Sequence, residues 1–155
     1  MKIRKFYLAG AIDKSPDHGI GVRQQIIDFF KDTKYQLINP CDFDYNQSEF
    51  PTMWAYQKDG SHDLENCHQY ASNIADGDVI EVAESTAIIV ILDKYCGPGT
   101  SGEVTVARYL NIPVLGVFTK DTNWREVAPW ILSRVKRFFF SPEELKKYLL
   151  ETYEQ

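Results

Sequence analysis

Glu103 is the carboxylate of this chain best placed for chemistry. It closes the run Gly97, Pro98, Gly99, Thr100, Ser101, Gly102, Glu103. That run follows residues 86–92, which are apolar and β-branched after Thr86, as expected for a parallel strand covered on both faces. The glycines and the proline predict a backbone that turns sharply and approaches a ligand closely. In open α/β sheets ligands bind at the carboxyl ends of the strands, where Glu103 falls. A carboxylate there can act as nucleophile or proton carrier. Thr100 and Glu103 also have the spacing of a capping box, which would make the pair structural. The glycine density favours a small ligand against the loop.

Other side chains could join it. Tyr7 lies near the end of the first apolar run. It is either half-buried core with its hydroxyl at the rim or a donor that orients a carboxylate. Asp78 follows Asp76 and Gly77 and reads either as a helix cap or as a second carboxylate. Two carboxylates in different environments divide into a charged nucleophile and a proton donor. Asp93 ends the third strand and is a further candidate. Arg23 follows the first loop, as a bidentate anion ligand or a solvated first-turn arginine. Gly19 and Gly21 do not make a dinucleotide fingerprint, because Gln24 stands where the third glycine would fall. His18, His62 and His68 lack zinc-site spacing, so zinc is not expected. Trp54, Trp124 and Trp130 are either core or stacking platforms.

The elements that must position these residues alternate. Strands are predicted at residues 3–9, 35–39, 86–92, 113–118 and 137–140. Helices are predicted at 22–31, 62–84 (bent or broken near Asp76 and Gly77), 103–111, 123–135 and from Ser141 onward. Asn123 with Glu126 has box spacing. Ser141, Pro142, Glu143 and Glu144 make a strong helix start. Gly10 to Gly21 is a polar loop containing Asp13, and residues 41–61 form a long aromatic one. Such alternation means βαβ units and a mostly parallel sheet. The 155 residues, 44% hydrophobic and 25% charged, suit one globular domain spanning 1–155. A net charge of −5 argues against binding nucleic-acid polymers. No apolar run is long enough to span a membrane. Three cysteines, Cys41, Cys67 and Cys96, without paired spacing suggest free thiols and a cytoplasmic protein.

These pieces in this order resemble the nucleoside 2-deoxyribosyltransferase family, which includes deoxynucleoside-monophosphate N-glycosidases. The resemblance rests on Phe6 to Gly10, on Asp78 before the third strand, and on Gly99 to Glu103 with Ala107, Ile112 and Pro113. The terminal Phe138 to Leu145 also fits. It implies a flavodoxin-like three-layer α/β sandwich of about five mostly parallel strands. It also implies cleavage or transfer of the N-glycosidic bond of a 2′-deoxynucleoside or its monophosphate. Glu103 would be the nucleophile, kept ionised by its helix N-terminus, Tyr7 its orienting donor, and Asp78 the proton carrier. Gly10, Asp13, Arg23, Asp93, Gly97, Gly99 and Thr100 would line the substrate. A homo-oligomer is implied, with residues 43–56 covering the site near an interface. Two departures stand out. Transferases often carry an aspartate where this chain has Gly97, and the hydrolase branch an arginine or serine where it has Ala11, Ile12 and Asp13. A non-catalytic nucleotide-binding module and a nucleotide hydrolase of the TIR-like or cytokinin type are the alternatives.

Overall fold

The computed structural model describes residues 3–11, 20–42 and 64–154. Asp13, Trp54 and the aromatic segment 43–56 lie outside the described residues. The described strands are β1 (Lys5–Ala9), β2 (Gln36–Ile38), β3 (Ala87–Leu92), β4 (Val114–Phe118) and β5 (Arg137–Phe139). They form one sheet in the order β2-β1-β3-β4-β5, and every pair is parallel. This is the flavodoxin-like order, in which the winding direction reverses between β1 and β3 and leaves a crevice at their carboxyl ends.

Period-two alternation divides the strands between two cores. Phe6 and Leu8 of β1 and Ile89 and Ile91 of β3 pack beneath α1 (Ile20–Phe30) and α5 (Pro142–Tyr153), against Ile26, Phe30, Leu145 and Leu149. Tyr7, Ala9, Ile88, Val90 and Leu92 point the other way. They meet Val82 of α2 (Leu64–Glu84), Val104 and Ala107 of α3 (Pro98–Tyr109), and Ile131 of α4 (Pro129–Arg134). Each such aliphatic side chain contributes about 1.5–3 kcal/mol when fully buried, so both faces hold the sheet. No described helix is long and apolar enough to cross a membrane.

Local sequence sets several ends. Ser141 caps α5, its hydroxyl accepting from the Glu144 amide at 3.2 Å, while the Glu144 carboxylate accepts from the Phe140 amide at 2.9 Å. Asn111 takes φ of +59° just past α3, and the Ile112 amide then donates to the Ala107 carbonyl at 2.8 Å. Asparagine tolerates this left-handed geometry better than most residues, and it stops the helix before Pro113.

Three expectations change. The helix over residues 64–84 is continuous through Asp76 and Gly77, because packing against α3 outweighs the roughly 1 kcal/mol cost of one glycine. Asp78 is therefore inside a helix and not at its start. The segment 123–135 is not one helix: Asn123 caps only a 3₁₀ turn, Trp124–Glu126, through the Arg125 amide, and α4 starts separately at Pro129. Proline at a first helical position ends the preceding turn and begins the next element.

Gly116 in β4 was silent in the sequence. A Cβ there would lie 2.7 Å from Leu92 Cδ1 and 3.0 Å from Val135 Cγ1. Gly116→Ala is expected to retain the fold and lower the unfolding free energy by about 1–3 kcal/mol, read from urea midpoints. An unchanged midpoint would show that Leu92 and Val135 yield freely.

Candidate active site

The β1/β3 crevice gathers Tyr7, Asp78, Glu103 and Arg23 from four elements. α3 packs against α2, α4 and strands β1, β3 and β4, which lays Glu103 over the sheet. Its N-cap is Gly97, without a side-chain hydrogen bond. Thr100 is buried within the first turn and Glu103 lies in the second. The capping box is therefore not formed.

Glu103 is half-buried as a residue, but its Oε2 is fully buried and, among the described residues, has no partner of ordinary hydrogen-bond geometry. Burial pushes its acid up to about 8, the Asp78 charge adds to this, and the Tyr7 hydroxyl and Arg23 pull in the opposite direction. The expectation that the helix N-terminus keeps Glu103 ionised is thus corrected. A helix end is worth about 0.3–1 kcal/mol and acts within the first turn, which is too weak to offset a desolvated carboxylate one turn further in.

Tyr7 is central in β1, between Ile38 and Ile88, and wholly buried rather than placed at the rim. Among the described residues its hydroxyl has no partner of ordinary hydrogen-bond geometry. It is nonetheless close enough to Glu103 for each to perturb the other. Burial, then the Glu103 and Asp78 charges, drive its ionisation far upward, with only Arg23 opposing. Tyr7 is therefore a neutral O–H donor at any working pH. Asp78 is half-buried on α2.

Arg23 is not the solvated arginine that its place in the first turn of α1 suggested. It is 2% exposed, and its Nη1 and Nη2 donate to the Leu8 carbonyl at 2.6 Å and the Gly10 carbonyl at 3.0 Å. Nη1 also donates to Asn39 Oδ1 at 3.3 Å. Gly10 has φ of +153°, and a Cβ there would stand 3.2 Å from Ile91 Cβ, so glycine is required for the chain to turn there. Asn39 was missed by sequence reasoning. A polar residue at the end of β2 beside the crevice was the available signal.

The remaining candidates sit nearby with other tasks. Asp93 is buried, and its Oδ1 accepts from the Tyr95 amide at 2.8 Å. Burial raises its acid, while Tyr95, Cys96 and Arg23 oppose. Cys96 donates to the Ile91 carbonyl at 3.2 Å, and burial pushes its thiol up to about 12. None of the three cysteines is in a disulfide. Gly97 is extended, at φ −120° and ψ −160°, and a Cβ at Gly99 or Gly102 would meet nothing within 4 Å. These glycines are not needed for a sharp turn; they leave open space at the start of α3. Trp124 and Trp130 are 53% and 56% exposed and so are not core. Trp130 Nε1 donates to Thr105 Oγ1 at 2.9 Å, pinning α4 to α3.

A cavity of about 640 Å³ opens at the ends of β3 and β4. It is lined by Ile26, Ile91, Val117, Phe118 and Lys120 among others, on the α1 and α5 side, and touches none of Tyr7, Asp78 and Glu103. This hollow is thus separate from the Tyr7, Asp78 and Glu103 cluster. Among the described residues no three or more His, Cys, Asp or Glu side chains group closely enough to hold a metal ion.

The raised Glu103 acid makes stability depend on pH. Unfolded, Glu103 titrates near the ordinary value of about 4.3; folded, it holds its proton up to about 8. Across that window the folded state binds more protons, so rising pH costs stability, and the loss is complete above it. Glu103→Gln cannot ionise. It is expected to match the wild type near pH 4 and to melt higher above pH 8. An equal difference at both extremes would show that ionisation is not the cause.

No family model and no curated protein matches the chain. Solved structures do. The 2-deoxyribosyltransferase of the psychrotolerant bacterium Bacillus psychrosaccharolyticus superposes with a TM-score of 0.66 at 14% identity, over 93% of this chain and 91% of that one. A conserved protein from Enterococcus faecalis V583 gives 0.62 at 19% identity, over 97% and 99%. The CMP N-glycosidase BcmB of Clostridium botulinum gives 0.51 at 16% identity, over 94% and 98%. At such identities the likeness is one of fold. The strand order and this near-complete coverage together give the chain the flavodoxin-like α/β fold that these structures share.

Proposed function

We propose that this protein cleaves or transfers the N-glycosidic bond of a 2′-deoxynucleoside or its 5′-monophosphate, with Glu103 as nucleophile. One observation carries the reading: among the described residues the buried Glu103 Oε2 and the neighbouring Tyr7 hydroxyl both lack a partner of ordinary hydrogen-bond geometry, within the field of Asp78. A structural carboxylate would be hydrogen-bonded, whereas an unspent acceptor beside an unspent donor suits a site awaiting a substrate. The fold neighbours, a 2-deoxyribosyltransferase and a CMP N-glycosidase, support the same chemistry.

The reaction parallels a retaining glycosidase. The Asp78 charge opposes ionisation of Glu103. In the productive form the proton is on Asp78 and the charge on Glu103. Glu103 attacks C1′ as the bond from C1′ to the base nitrogen breaks. Asp78 gives its proton to the departing base. A deoxyribosyl ester of Glu103 remains, and the Tyr7 O–H holds the carboxyl in line. An incoming base or water then gives a proton to Asp78 and attacks C1′, which frees Glu103. A 2′-hydroxyl would oppose positive charge at C1′, so deoxyribose is favoured. The mechanism uses neither cofactor nor metal.

Glu103→Ala is expected to keep the fold and lose cleavage by several orders of magnitude, beyond the ~10²–10⁴ of a lost acid–base group. Retention of more than about a tenth of the activity would refute the nucleophile. Asp78→Asn should slow substrates with poor leaving bases far more than those with a nitrophenyl-type leaving group, and equal losses would remove Asp78 from the acid role. Incubation with a deoxynucleoside and a second free base separates the outcomes by chromatography. Exchange means transferase, free base alone means hydrolase, and neither means a nucleotide-binding module.

The reading extends to assembly. Exposed Ile80, Tyr109 and Leu110 on α2 and at the end of α3 are apolar surface of the kind that marks a partner. A homodimer or larger assembly is expected in sedimentation at micromolar concentration. A fully active monomer would overturn it.

A further inference from the structure

Arg23 is a fully buried cation that the chemistry above does not use. Among the described residues it forms no ion pair. Two backbone carbonyls and the Asn39 amide oxygen accept from its Nη atoms, and its Nε is buried without a partner among the described residues. A buried charge held only by neutral dipoles is costly unless a field of opposite sign surrounds it. The carboxyls that can supply it are Asp93 at the end of β3 and Glu103 on α3, both of whose acids the Arg23 charge lowers against the effect of burial; the field grows as they ionise, and Asp78 of α2 acts on the same Glu103 group.

The two carbonyls it binds are also informative. Leu8 and Gly10 flank Ala9, the last residue of β1, two residues beyond Tyr7. The planar fork of arginine spans two acceptors in a fixed geometry that an ammonium cannot reproduce. Arg23 therefore clamps the strand end whose side chains include the Tyr7 donor, from the face of the sheet opposite Glu103.

We propose that Arg23 is a positioning residue of the Glu103 site, clamping the end of β1 and serving as the buried counter-charge to the Glu103 carboxylate, and that it is not a ligand for substrate phosphate. Both Nη groups are already committed to the protein, and at 2% exposure the guanidinium is withdrawn from any ligand in the crevice. The part that concerns turnover rests on the glycosidic reading; the counter-charge does not.

The first experiment leaves Arg23 intact. The Arg23 Nε–H resonance is followed by NMR from pH 6 to 10 in the resting wild type and in Glu103→Gln. It should titrate with a midpoint near 8 in the wild type, where Glu103 ionises, and stay flat in the variant. A flat wild-type signal, or the same titration persisting in Glu103→Gln and so arising from Asp93 or Asp78, would overturn the counter-charge. The second uses Arg23→Lys, with a deoxynucleoside and its 5′-monophosphate as paired substrates. A drop in kcat of about tenfold or more, with the ratio of the two KM values unchanged, is expected for a lost clamp. A KM ratio that collapses tenfold identifies a phosphate ligand instead and overturns the proposal, as does unchanged kcat. If neither substrate turns over, the glycosidic reading fails and the NMR result still decides the counter-charge.

Discussion

The constraint on which this structure turns is the burial of one carboxyl group. Glu103 stands in the second turn of α3 with one oxygen buried and, among the described residues, without a partner of ordinary hydrogen-bond geometry. Burial raises its acid to about 8, and that effect exceeds every neighbouring charge. What surrounds it follows from that. A neutral phenol faces it, a second carboxylate perturbs it from α2, and a buried guanidinium lies in range on the far side of β1. No one of these groups is unusual. Their convergence on one desolvated oxygen gives the crevice its chemistry.

The sheet makes that convergence possible through alternation. Along β1, Phe6 and Leu8 face one core while Tyr7 and Ala9 face the other. One strand thus supplies an aromatic anchor to the α1 and α5 layer and a phenol to the Glu103 layer. The anchor side is dense: Phe6 contacts the rings of Phe30, Tyr35 and Tyr153 with centroids 5.7, 5.3 and 5.3 Å away. Such packing fixes the strand from which Tyr7 projects. The close fit of Gly116 against Leu92 and Val135 similarly sets how β4 and α4 lie beside β3.

α2 shows how packing overrides local signals. Asp76 and Gly77 read as a break, yet the helix runs through them, and that continuity puts Asp78 on a rigid element. Thr100 and Glu103 read as a box, yet the helix begins earlier, at Pro98, and the shift carries Glu103 into the second turn. In both places a short-range pattern worth about 1 kcal/mol yielded to burial of a helix face against the sheet.

By itself, the sequence determined the strands, their parallel alternation with helices, the cap at Ser141, and Glu103, Asp78 and Tyr7 as the residues to watch. These are legible because hydrophobic period and turn chemistry are local properties, read within a few residues. Arg23 lay inside the apolar stripe of α1 with Ile26 and Phe30 and still read as a surface residue, because charge usually means solvent. Only the tertiary structure decided that it is buried, that Asn39 and the Leu8 and Gly10 carbonyls hold it, and that Glu103 is protonated up to about pH 8. Those facts depend on groups far apart in the chain and on the water excluded between them. Desolvation is a property of the assembled fold, and no local pattern carries it.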